Sequence, residues 1–290
     1  MNIAIQQGWS DYSLLDSGNG MRLERFGRYT ISRPDPQALW LPHLSQTEWK
    51  KVDAEYTKST EGKGRWKVFT AVPEKWLLHY KNLSFFAKLT PFKHTGIFPE
   101  QAAQWDWIAH KISSAHRPIS MLNLFAYTGI ASVAAVQASA KVTHVDASRP
   151  SIGWARENQE ATRLPKDSIR WILDDANKFT RREIKRGVRY DAIMLDPPVY
   201  GHGPQKEPWD FQKDIFLLLR QCRTLLSAQP LFVIINAYAV SSSSIMLNNM
   251  LQDMMKDHKG IIEYGELALR EANRDRILST GIYAAWSSHN

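Results

Sequence analysis

The chain has 290 residues, of which 43% are hydrophobic and 23% are charged, and its formal net charge is +8. This length suffices for one large domain with an appendage or for two domains. The start of the sequence has neither the basic nor the apolar segment of a signal peptide, and no apolar run approaches the ~20 residues of a membrane span. We therefore expect no membrane partner.

Cysteine content and charge narrow the class of protein further. The single cysteine, Cys222, excludes an internal disulfide and a cysteine-rich zinc site, and we predict no metal site. The scarcity of cysteine favours a reducing, cytoplasmic location. The excess of positive charge favours an anionic partner, such as the phosphate backbone of a nucleic acid.

Residues 1–95 are predicted to form a small β-rich module. Short extended runs alternate with turn sequences such as Asp16–Gly20 and Glu61–Gly64, and no long helix is indicated. Seven of the eleven tryptophans precede residue 110 and are interleaved with lysine and arginine. Such rings either stack on bases beside phosphate-binding cations or fill the core of the module. The first alternative makes 1–95 a substrate- or RNA-binding module.

Residues 96–290 are predicted to form an α/β domain. A helical segment at 100–116 precedes five strand-then-helix units, which are 119–125 with 130–140, 142–146 with 151–161, 169–173 with 176–186, 192–196 with 208–226, and 231–236 with 244–256. This alternation predicts a doubly wound, mostly parallel sheet. Two further strand-like runs, 261–269 and 281–286, follow without a helix between them. They predict an antiparallel edge strand and seven strands in all.

Distinctive residues follow the first three of these strands. Gly129 closes the turn after the first strand and lets the backbone approach a ligand, although the segment lacks the G-x-G-x-x-G pattern of dinucleotide binders. Asp146 ends the second strand, where a carboxylate can accept both hydroxyls of a ribose. Asp175 follows the third, where its carboxylate and amide can read an adenine edge. An aspartate at a strand end is alternatively a helix cap, but open sheets bind ligands at this edge.

The fourth strand ends in Asp196-Pro197-Pro198-Val199-Tyr200. Two successive prolines stiffen the backbone and remove two N–H donors, while the carbonyls can still accept hydrogen bonds. Such a segment is suited to hold a flat, hydrogen-bonding substrate at the edge of a sheet. The alternative interpretation is a strand that ends in a proline turn with a solvated aspartate.

In their order and spacing, these motifs resemble those of class I S-adenosylmethionine-dependent methyltransferases. The match is closest to the bacterial enzymes that methylate bases of large-subunit ribosomal RNA. Residues 124–129 are similar to the Leu-Phe-x-x-Thr-Gly motif of those enzymes, and 196–200 are similar to their Asp-Pro-Pro-x-Phe/Tyr motif. The resemblance covers roughly residues 90–290 and includes 92–101, which resemble the segment that closes over the cofactor.

The resemblance implies S-adenosylmethionine as the cofactor and RNA, in particular ribosomal RNA, as the partner. The residues that it implies at the cofactor are Phe125, Tyr127, Thr128 and Gly129 at the methionine end, Asp146, Ala147 and Ser148 at the ribose, Asp175 and Ala176 at the adenine, and Gln101 in the closing segment. The residues that it implies at the reacting base are Asp196, Pro197, Pro198 and Tyr200.

Three positions depart from the family's patterns. Asn123 stands where many methyltransferases have an acidic residue at the end of the first strand. The related enzymes that methylate cytosine at C5 use a cysteine adduct, whereas Cys222 lies in an apolar helical stretch typical of a packed thiol. A nitrogen of guanine or adenine is therefore the expected acceptor. Val199 departs from the contiguous Asp-Pro-Pro-Tyr of amino-group methylases.

Other assignments stay open at this point. Residues 201–206 are predicted to form a loop able to move over the substrate, and the basic segment 181–189 either contacts phosphates or is a solvated helix end. A small-molecule or protein methyltransferase would share every cofactor motif. A protein that binds cofactor and RNA without turnover is the third alternative.

Overall fold

The structure of the protein is a computed structural model that describes residues 2–6, 8–58 and 64–289. The chain forms two compact units. The first contains Gln104–Leu267 with short segments from both ends of the chain, and the second contains Ile5–Ala103 and Ala268–Thr280. The sequence pattern does not signal that Ala268–Thr280 belongs with the second unit. The division into domains 1–95 and 96–290 stays a prediction.

The elements before residue 90 are short strands and one helical turn. They are β1 (Asn2–Ile5), β2 (Tyr12–Gly18), β3 (Met21–Phe26), β4 (Tyr29–Pro34), α1 (Gln46–Trp49), β5 (Ala54–Lys58), β6 (Gly64–Val68), β7 (Trp76–Tyr80) and β8 (Leu83–Ala87). Strands β2 to β6 form one sheet in sequence order, and β7 pairs with β8 in an antiparallel hairpin. The predicted β-rich character of the N-terminal part is confirmed.

The turn between β2 and β3 is shorter than predicted. Asn19 and Gly20 have φ of 51° and 73°, as a two-residue hairpin turn requires. Asp16, which the prediction places in the turn, is a buried residue of β2 that accepts a hydrogen bond from the Trp49 indole at 2.8 Å. The second predicted turn, at residues 61–64, lies outside the described residues except for Gly64, which begins β6.

Two of the N-terminal tryptophans belong to the core of the second unit. Trp9 and Trp76 are buried, and their indole N–H groups donate to the carbonyls of His79 at 2.8 Å and Phe26 at 3.1 Å. A buried indole needs such a partner for its N–H group. For these two rings, core packing is the correct alternative.

The rest of the chain contains the predicted alternation. After a 3-10 turn at Pro99–Gln101, its elements are α2 (Ala102–Ser114), β9 (Ser120–Leu124), α3 (Ile130–Gln137), β10 (Lys141–Asp146), α4 (Arg149–Ala161), β11 (Ile169–Leu173), α5 (Ala176–Lys185), β12 (Ala192–Leu195), β13 (Tyr200–His202), β14 (Pro208–Asp210), α6 (Phe211–Leu225), β15 (Phe232–Ala237), α7 (Ser244–Met255), β16 (Gly260–Arg270) and β17 (Ile277–Ser288).

The large sheet contains eight strands in the order β1-β16-β17-β15-β12-β9-β10-β11. The pairs among β9, β10, β11, β12 and β15 are parallel, and β17 is antiparallel to β15. The predicted doubly wound, mostly parallel sheet is therefore confirmed. The eighth strand is β1, whose four residues are too few to give a periodic pattern. None of the described helices is long and apolar enough to cross a membrane.

Burial on both faces explains the composition of the central strands. All four residues of β12 are buried, and the strand lies between β9 and β15 in the middle of the sheet. Helices cover the faces of such a sheet, so its central strands are continuously apolar. Helix α6 contributes Leu218, Cys222 and Leu225 to the same core.

The segment after β12 differs from the prediction. In place of an irregular loop and a helix from Pro208, strands β13 and β14 form an antiparallel hairpin, and α6 begins at Phe211. The Asp210 carboxylate accepts the N–H of Gln212 at 3.0 Å and so caps the helix. Trp209, one residue earlier, is buried in the hairpin. The apolar pattern of α6 begins before its helical backbone does, so the sequence predicted a helix that starts too early.

Replacement of Glu183 should destabilise the first unit. Its fully buried carboxylate accepts hydrogen bonds from the Tyr190 hydroxyl at 2.7 Å and from Arg170 at 2.8 Å. Glu183→Gln keeps the shape but removes the charge, and we expect a loss of about 1.5–3 kcal/mol in the free energy of unfolding, measured by urea denaturation. Arg186→Ala is the control, since its guanidinium bonds to the same carboxylate from an exposed position. It should cost less than about 1 kcal/mol, and equal losses in the two variants would contradict this account.

Candidate active site

The ends of four parallel strands bring the predicted site residues of the first unit to one edge of the sheet. In the register of the sheet, Leu124 of β9 lies beside Val145 of β10 and Leu195 of β12. Neighbouring segments remain hydrogen bonded past these positions. The N–H of Ala126 donates to the Val145 carbonyl at 3.1 Å, and the N–H of Asp196 donates to the Leu124 carbonyl at 3.3 Å. The turn after β9 and the segment after β12 therefore leave the sheet side by side.

The turn after β9 has a strained backbone. Phe125, Tyr127 and Gly129 have φ of 56°, 48° and 75°. Residues with a side chain pay about 1–3 kcal/mol for this left-handed region. Gly129 is required for a second reason, because a Cβ atom there would lie 2.8 Å from the Cβ of Ala155. Strained backbone of this kind is concentrated at functional sites, where surrounding contacts hold it in place.

The carboxylate of Asp146 holds this turn. One of its oxygens accepts the N–H of Tyr127 at 2.8 Å, and the other accepts the N–H of Ser148 at 2.8 Å. Burial raises the pKa of Asp146, and the two N–H donors offset part of that rise. Ser148 caps α4 by accepting the N–H of Ser151, and Ala147 lies between them. Each carboxylate oxygen has two lone pairs, so these bonds leave further acceptor capacity.

A line of buried polar side chains supports the same turn. Nδ1 of His144 lies 3.1 Å from Oγ of Ser132, which accepts a hydrogen bond from the Asn123 amide at 3.0 Å. A Cβ atom on Gly129 would lie 3.2 Å from the His144 ring. Burial lowers the pKa of His144 to about 3, so the imidazole is neutral at pH 7. The Asn123 side chain, which stands where many methyltransferases have an acidic residue, thus bonds to a buried group of the protein itself.

Asp174 and Asp175 follow β11 and bond mainly to helix α5. Asp175 caps the helix by accepting the N–H of Lys178 at 2.9 Å, and its own N–H donates to Asp174 at 2.9 Å. Asp174 also forms an ion pair with Arg182, and Arg186 pairs with Glu183, so two cations of the basic segment pair within the fold. Ala176, the first residue of the helix, is buried beside this cap.

The residues of the Asp-Pro-Pro segment differ in exposure. Asp196 is half-buried, Pro197 is buried, Pro198 is exposed, and Tyr200 is exposed over 73% of its surface. The segment therefore begins inside the edge of the sheet and leads to a ring that faces solvent.

Trp209 connects the Asp-Pro-Pro segment to the turn after β9. Its indole N–H donates to the carbonyl of Pro198 at 2.7 Å, and its ring centre lies 4.8 Å from that of Phe125. The carbonyl of Val199 accepts the N–H of Phe211 at 2.9 Å. Two carbonyls of this segment therefore bind groups of the protein itself.

The tip of the β13–β14 hairpin lies against the start of α5. Glu207 accepts hydrogen bonds from Lys178 at 2.5 Å and from the N–H of Gln205 at 2.8 Å. A Cβ atom on Gly203 would lie 3.1 Å from the Cβ of Asp175. The hairpin thus borders the end of β11 as well as that of β12.

Gln101 belongs to the second compact unit. It is buried at the end of the 3-10 turn that precedes α2. Earlier in the same segment, the Lys93 carbonyl accepts a hydrogen bond from buried Arg33 at 3.1 Å, and Arg33 also forms an ion pair with buried Glu24. The start of the predicted closing segment is thereby anchored within its own unit.

Cys222 is a buried residue of α6 and bears no disulfide. Burial raises the pKa of its thiol well above the ordinary value, so the thiolate is disfavoured. Across the described ranges, no three His, Cys, Asp or Glu side chains are grouped as a metal site requires.

Sequence patterns did not indicate several residues that shape this edge. They are Ser132, His144, Glu207 and Trp209. The only sequence signal for His144 and Ser132 is a polar residue within an apolar run, which predicts burial but no partner. Trp209 and Glu207 carry no signal, because their contacts depend on how the hairpin folds back.

Comparison with known proteins assigns the family. A family model described as S-adenosylmethionine-dependent methyltransferase matches residues 45–258, which is most of the chain. The chain belongs to the S-adenosylmethionine-dependent methyltransferases. The cofactor of this methyltransferase is therefore S-adenosylmethionine, and the resemblance of its strand-end motifs to the family is confirmed.

Solved structures agree with this assignment. The methyltransferase is 40% identical to the S-adenosylmethionine-dependent methyltransferase of Agrobacterium tumefaciens, covering 100% of this chain and 94% of that one with a TM-score of 0.95. A methyltransferase from Streptococcus mutans shares the fold, with 18% identity, coverage of 97% and 76%, and a TM-score of 0.74.

Curated relatives are larger proteins. The Ribosomal RNA large subunit methyltransferase K/L of Pseudoalteromonas atlantica is 26% identical over 227 residues, which cover 78% of this chain and 29% of that protein. The protein of the same name from Syntrophotalea carbinolica is 28% identical over 64% of this chain and 26% of its own length. The methyltransferase thus spans less than a third of the relatives' length.

The buried His144 should make stability depend on pH. Its pKa is about 3 in the folded protein against 6.5 for a free imidazole, so below pH 6.5 the unfolded chain binds a proton that the folded chain does not. The free energy of unfolding should therefore fall as the pH drops from about 6 to about 4, with His144 contributing about 1.4 kcal/mol per pH unit. Urea denaturation at several pH values measures this slope.

Two variants isolate the contribution of the imidazole. His144→Leu should reduce the slope by about 1.4 kcal/mol per pH unit. Ser132→Ala removes the same hydrogen bond but keeps the ring, so it should lower stability and leave the slope unchanged. A slope that is identical in wild type and His144→Leu would contradict the assignment.

Proposed function

We propose that this methyltransferase transfers a methyl group to a base nitrogen in RNA, with ribosomal RNA as the substrate. The observation that carries the proposal is the Asp196-Pro197-Pro198 segment, which leaves the sheet beside the strained turn after β9. Two further facts support an RNA substrate. The net charge is +8, and the curated relatives are named as ribosomal RNA methyltransferases.

The edge of the sheet fits the cofactor. When bound, S-adenosylmethionine supplies a methyl group on a sulfonium, already activated for transfer to a nucleophile. We assign its methionine end to the turn that contains Phe125, Tyr127, Thr128 and Gly129, because this strained turn follows the central strand β9 at the edge where open sheets bind ligands. We assign its ribose to Asp146, Ala147 and Ser148, because the Asp146 carboxylate retains lone pairs after binding two backbone N–H groups.

The groups that we assign to the adenine are those that do not take part in the cap of α5. Asp175 uses one carboxylate oxygen to cap α5 and its N–H to bind Asp174. The backbone N–H of Ala176 and the second oxygen of Asp175 are then the groups that we assign to the adenine edge. Gln101, at the end of the closing segment, is assigned to the cofactor by resemblance alone.

Asp196 and the Pro197 carbonyl are the acceptors that we assign to the reacting base. The Pro198 carbonyl accepts from Trp209 and the Val199 carbonyl from the backbone of Phe211. An amino nitrogen that donates to both Asp196 and the Pro197 carbonyl would have its lone pair oriented for in-line transfer, and the carboxylate can take the proton. The exposed ring of Tyr200 can stack on the base once the base is unpaired or flipped out.

The state of Cys222 favours nitrogen over carbon as the acceptor. Methylation of cytosine at C5 needs a thiolate that reaches the base. The sole cysteine of the sequence is buried in α6, and burial raises the pKa of its thiol.

Labelled-methyl transfer tests the proposed function. RNA from cells in which the gene has been deleted should accept labelled methyl groups from S-adenosylmethionine, and mass spectrometry should place the label on a base nitrogen. Asp196→Asn keeps the shape of the side chain but removes the proton acceptor. It should lower kcat by about 100-fold or more while the Kd for the cofactor stays within about twofold.

Three other outcomes would contradict the proposal. Transfer to a metabolite or protein and not to RNA would assign a different substrate class. Cofactor and RNA binding without any transfer would make the chain a binding protein. Full activity of Asp196→Asn would remove Asp196 from the reaction.

Cys222→Ala should retain methyl transfer. A thiol that only packs in the core can be lost at a cost of about 1 kcal/mol in stability, without effect on kcat. The measurement is kcat on the same RNA, with thermal denaturation as the folding control. A fall in kcat of about 100-fold or more in a folded variant would restore the cysteine-adduct mechanism and with it a carbon acceptor.

A further inference from the structure

Helix α6 exposes large apolar side chains on the face that points to solvent, which is unusual for a surface helix. Its buried side, which includes Ile215, Leu218 and Cys222, completes the core. On the opposite side, Phe216 and Leu217 are exposed over 64% and 46% of their surface. These two side chains add nothing to the core, so the stability of the fold does not explain them.

Two cations flank the exposed apolar pair. Lys213 and Arg220 precede and follow it at helical spacing, and both are exposed. The exposed residues of α6 are Gln212, Lys213, Phe216, Leu217, Arg220 and Thr224, and no carboxylate is among them. Lys213 forms an ion pair with Asp210, whose carboxylate oxygen lies 3.0 Å from the lysine Nζ. Phe216, Leu217, Lys213 and Arg220 are called the α6 stripe below.

The stripe begins at the segment that we assign to the reacting base. Tyr200 pairs in the β13–β14 hairpin with Asp210, and Asp210 is the residue that caps α6. The pKa of Lys213 is raised, first by its hydrogen bond to Asp210 and also by the nearby Tyr200 phenol. Tyr200 is therefore paired with the residue that precedes the first turn of the helix. From Lys213 to Arg220 the stripe extends about 10 Å along the helix.

We propose that the α6 stripe binds the single-stranded RNA that flanks the methylated nucleotide. The proposal rests on the proposed function, because the α6 stripe begins next to the hairpin that contains Tyr200, and Tyr200 belongs to the segment that we assign to the reacting base. Aromatic rings that alternate with cations suit a single strand, since the bases stack on the rings and the phosphates pair with the cations. Tyr200, Lys213, Phe216 and Arg220 follow that alternation.

Charge favours RNA over a protein partner at this face. Lys213 is already paired with Asp210, so the charge that the stripe offers to a partner is that of the exposed Arg220, to which a phosphate can bind. An RNA strand uses both kinds of residue, and release of counterions from its phosphates adds to the affinity. The apolar pair is also small compared with the surface that a stable protein interface buries.

Affinity for a labelled RNA tests the proposal with the full-length chain. The probe is a fluorescein-labelled single-stranded RNA of about a dozen mixed nucleotides, followed by fluorescence anisotropy. Phe216→Leu keeps an apolar side chain but removes the stacking ring, and should raise Kd by about fivefold or more. Phe216→Tyr keeps the ring and should bind within about twofold of wild type.

Charge and control variants complete the test. Arg220→Gln should weaken binding and reduce the slope of log K against log salt by about 0.7, measured between about 50 and 200 mM salt. Ile245→Ala removes an exposed apolar side chain at the start of α7 and should bind as wild type does. All variants should bind S-adenosylmethionine normally, which shows that they are folded.

The outcomes separate this inference from the proposed function. If wild type binds the RNA and both Phe216→Leu and Arg220→Gln bind equally well, the inference is overturned and the proposed function stands. If wild type does not bind this RNA, the inference is overturned, and the proposed function is decided separately by the labelled-methyl transfer described above. If Phe216→Leu changes the oligomeric state by light scattering without changing RNA affinity, the stripe is a contact between copies of the chain.

Discussion

The geometry of the candidate site depends on the two hydrogen bonds that the Asp146 carboxylate accepts. One side chain at the end of β10 holds the N–H of Tyr127 in the turn after β9 and the N–H of Ser148 at the start of α4. Positive φ at Phe125 and Tyr127 is unfavourable, so contacts of this kind must offset its cost. The buried His144 and Ser132 support the same turn. Contacts within the protein therefore set the shape of the turn.

Trp209 has a corresponding role on the substrate side. It binds the Pro198 carbonyl and packs against Phe125, which joins the segment assigned to the base with the turn assigned to the cofactor. A transfer reaction requires the two reactants in a fixed relative position, and this contact links the two parts of the site directly. The hairpin that carries Trp209 continues into α6, so the same short element borders the candidate site and connects Tyr200 to the helix that carries the α6 stripe.

Prediction from sequence was most accurate where the chain repeats a simple rule. The strand–helix alternation correctly located β9 to β12 and β15, and the parallel direction of those strands put Phe125, Asp146 and Asp196 at one edge. It was wrong at 200–202 and 208–210, which form strands in place of the predicted loop and helix start, whereas 203–207 are the turn between them. Strands of three residues have no usable periodicity. The short strand β1 was missed for the same reason.

The fold class, the family motifs and the order of the strand-end residues could be predicted from the sequence, because apolar periodicity and short motifs are local properties of a chain. The hydrogen-bond partners of those residues could not be predicted and are known from the folded structure. Asp175 caps a helix, Asp146 holds two backbone N–H groups, and the Pro198 carbonyl binds an indole eleven residues away. A carboxylate or carbonyl can bond to any donor within reach, and which donors are within reach is settled by how elements distant in the chain pack together.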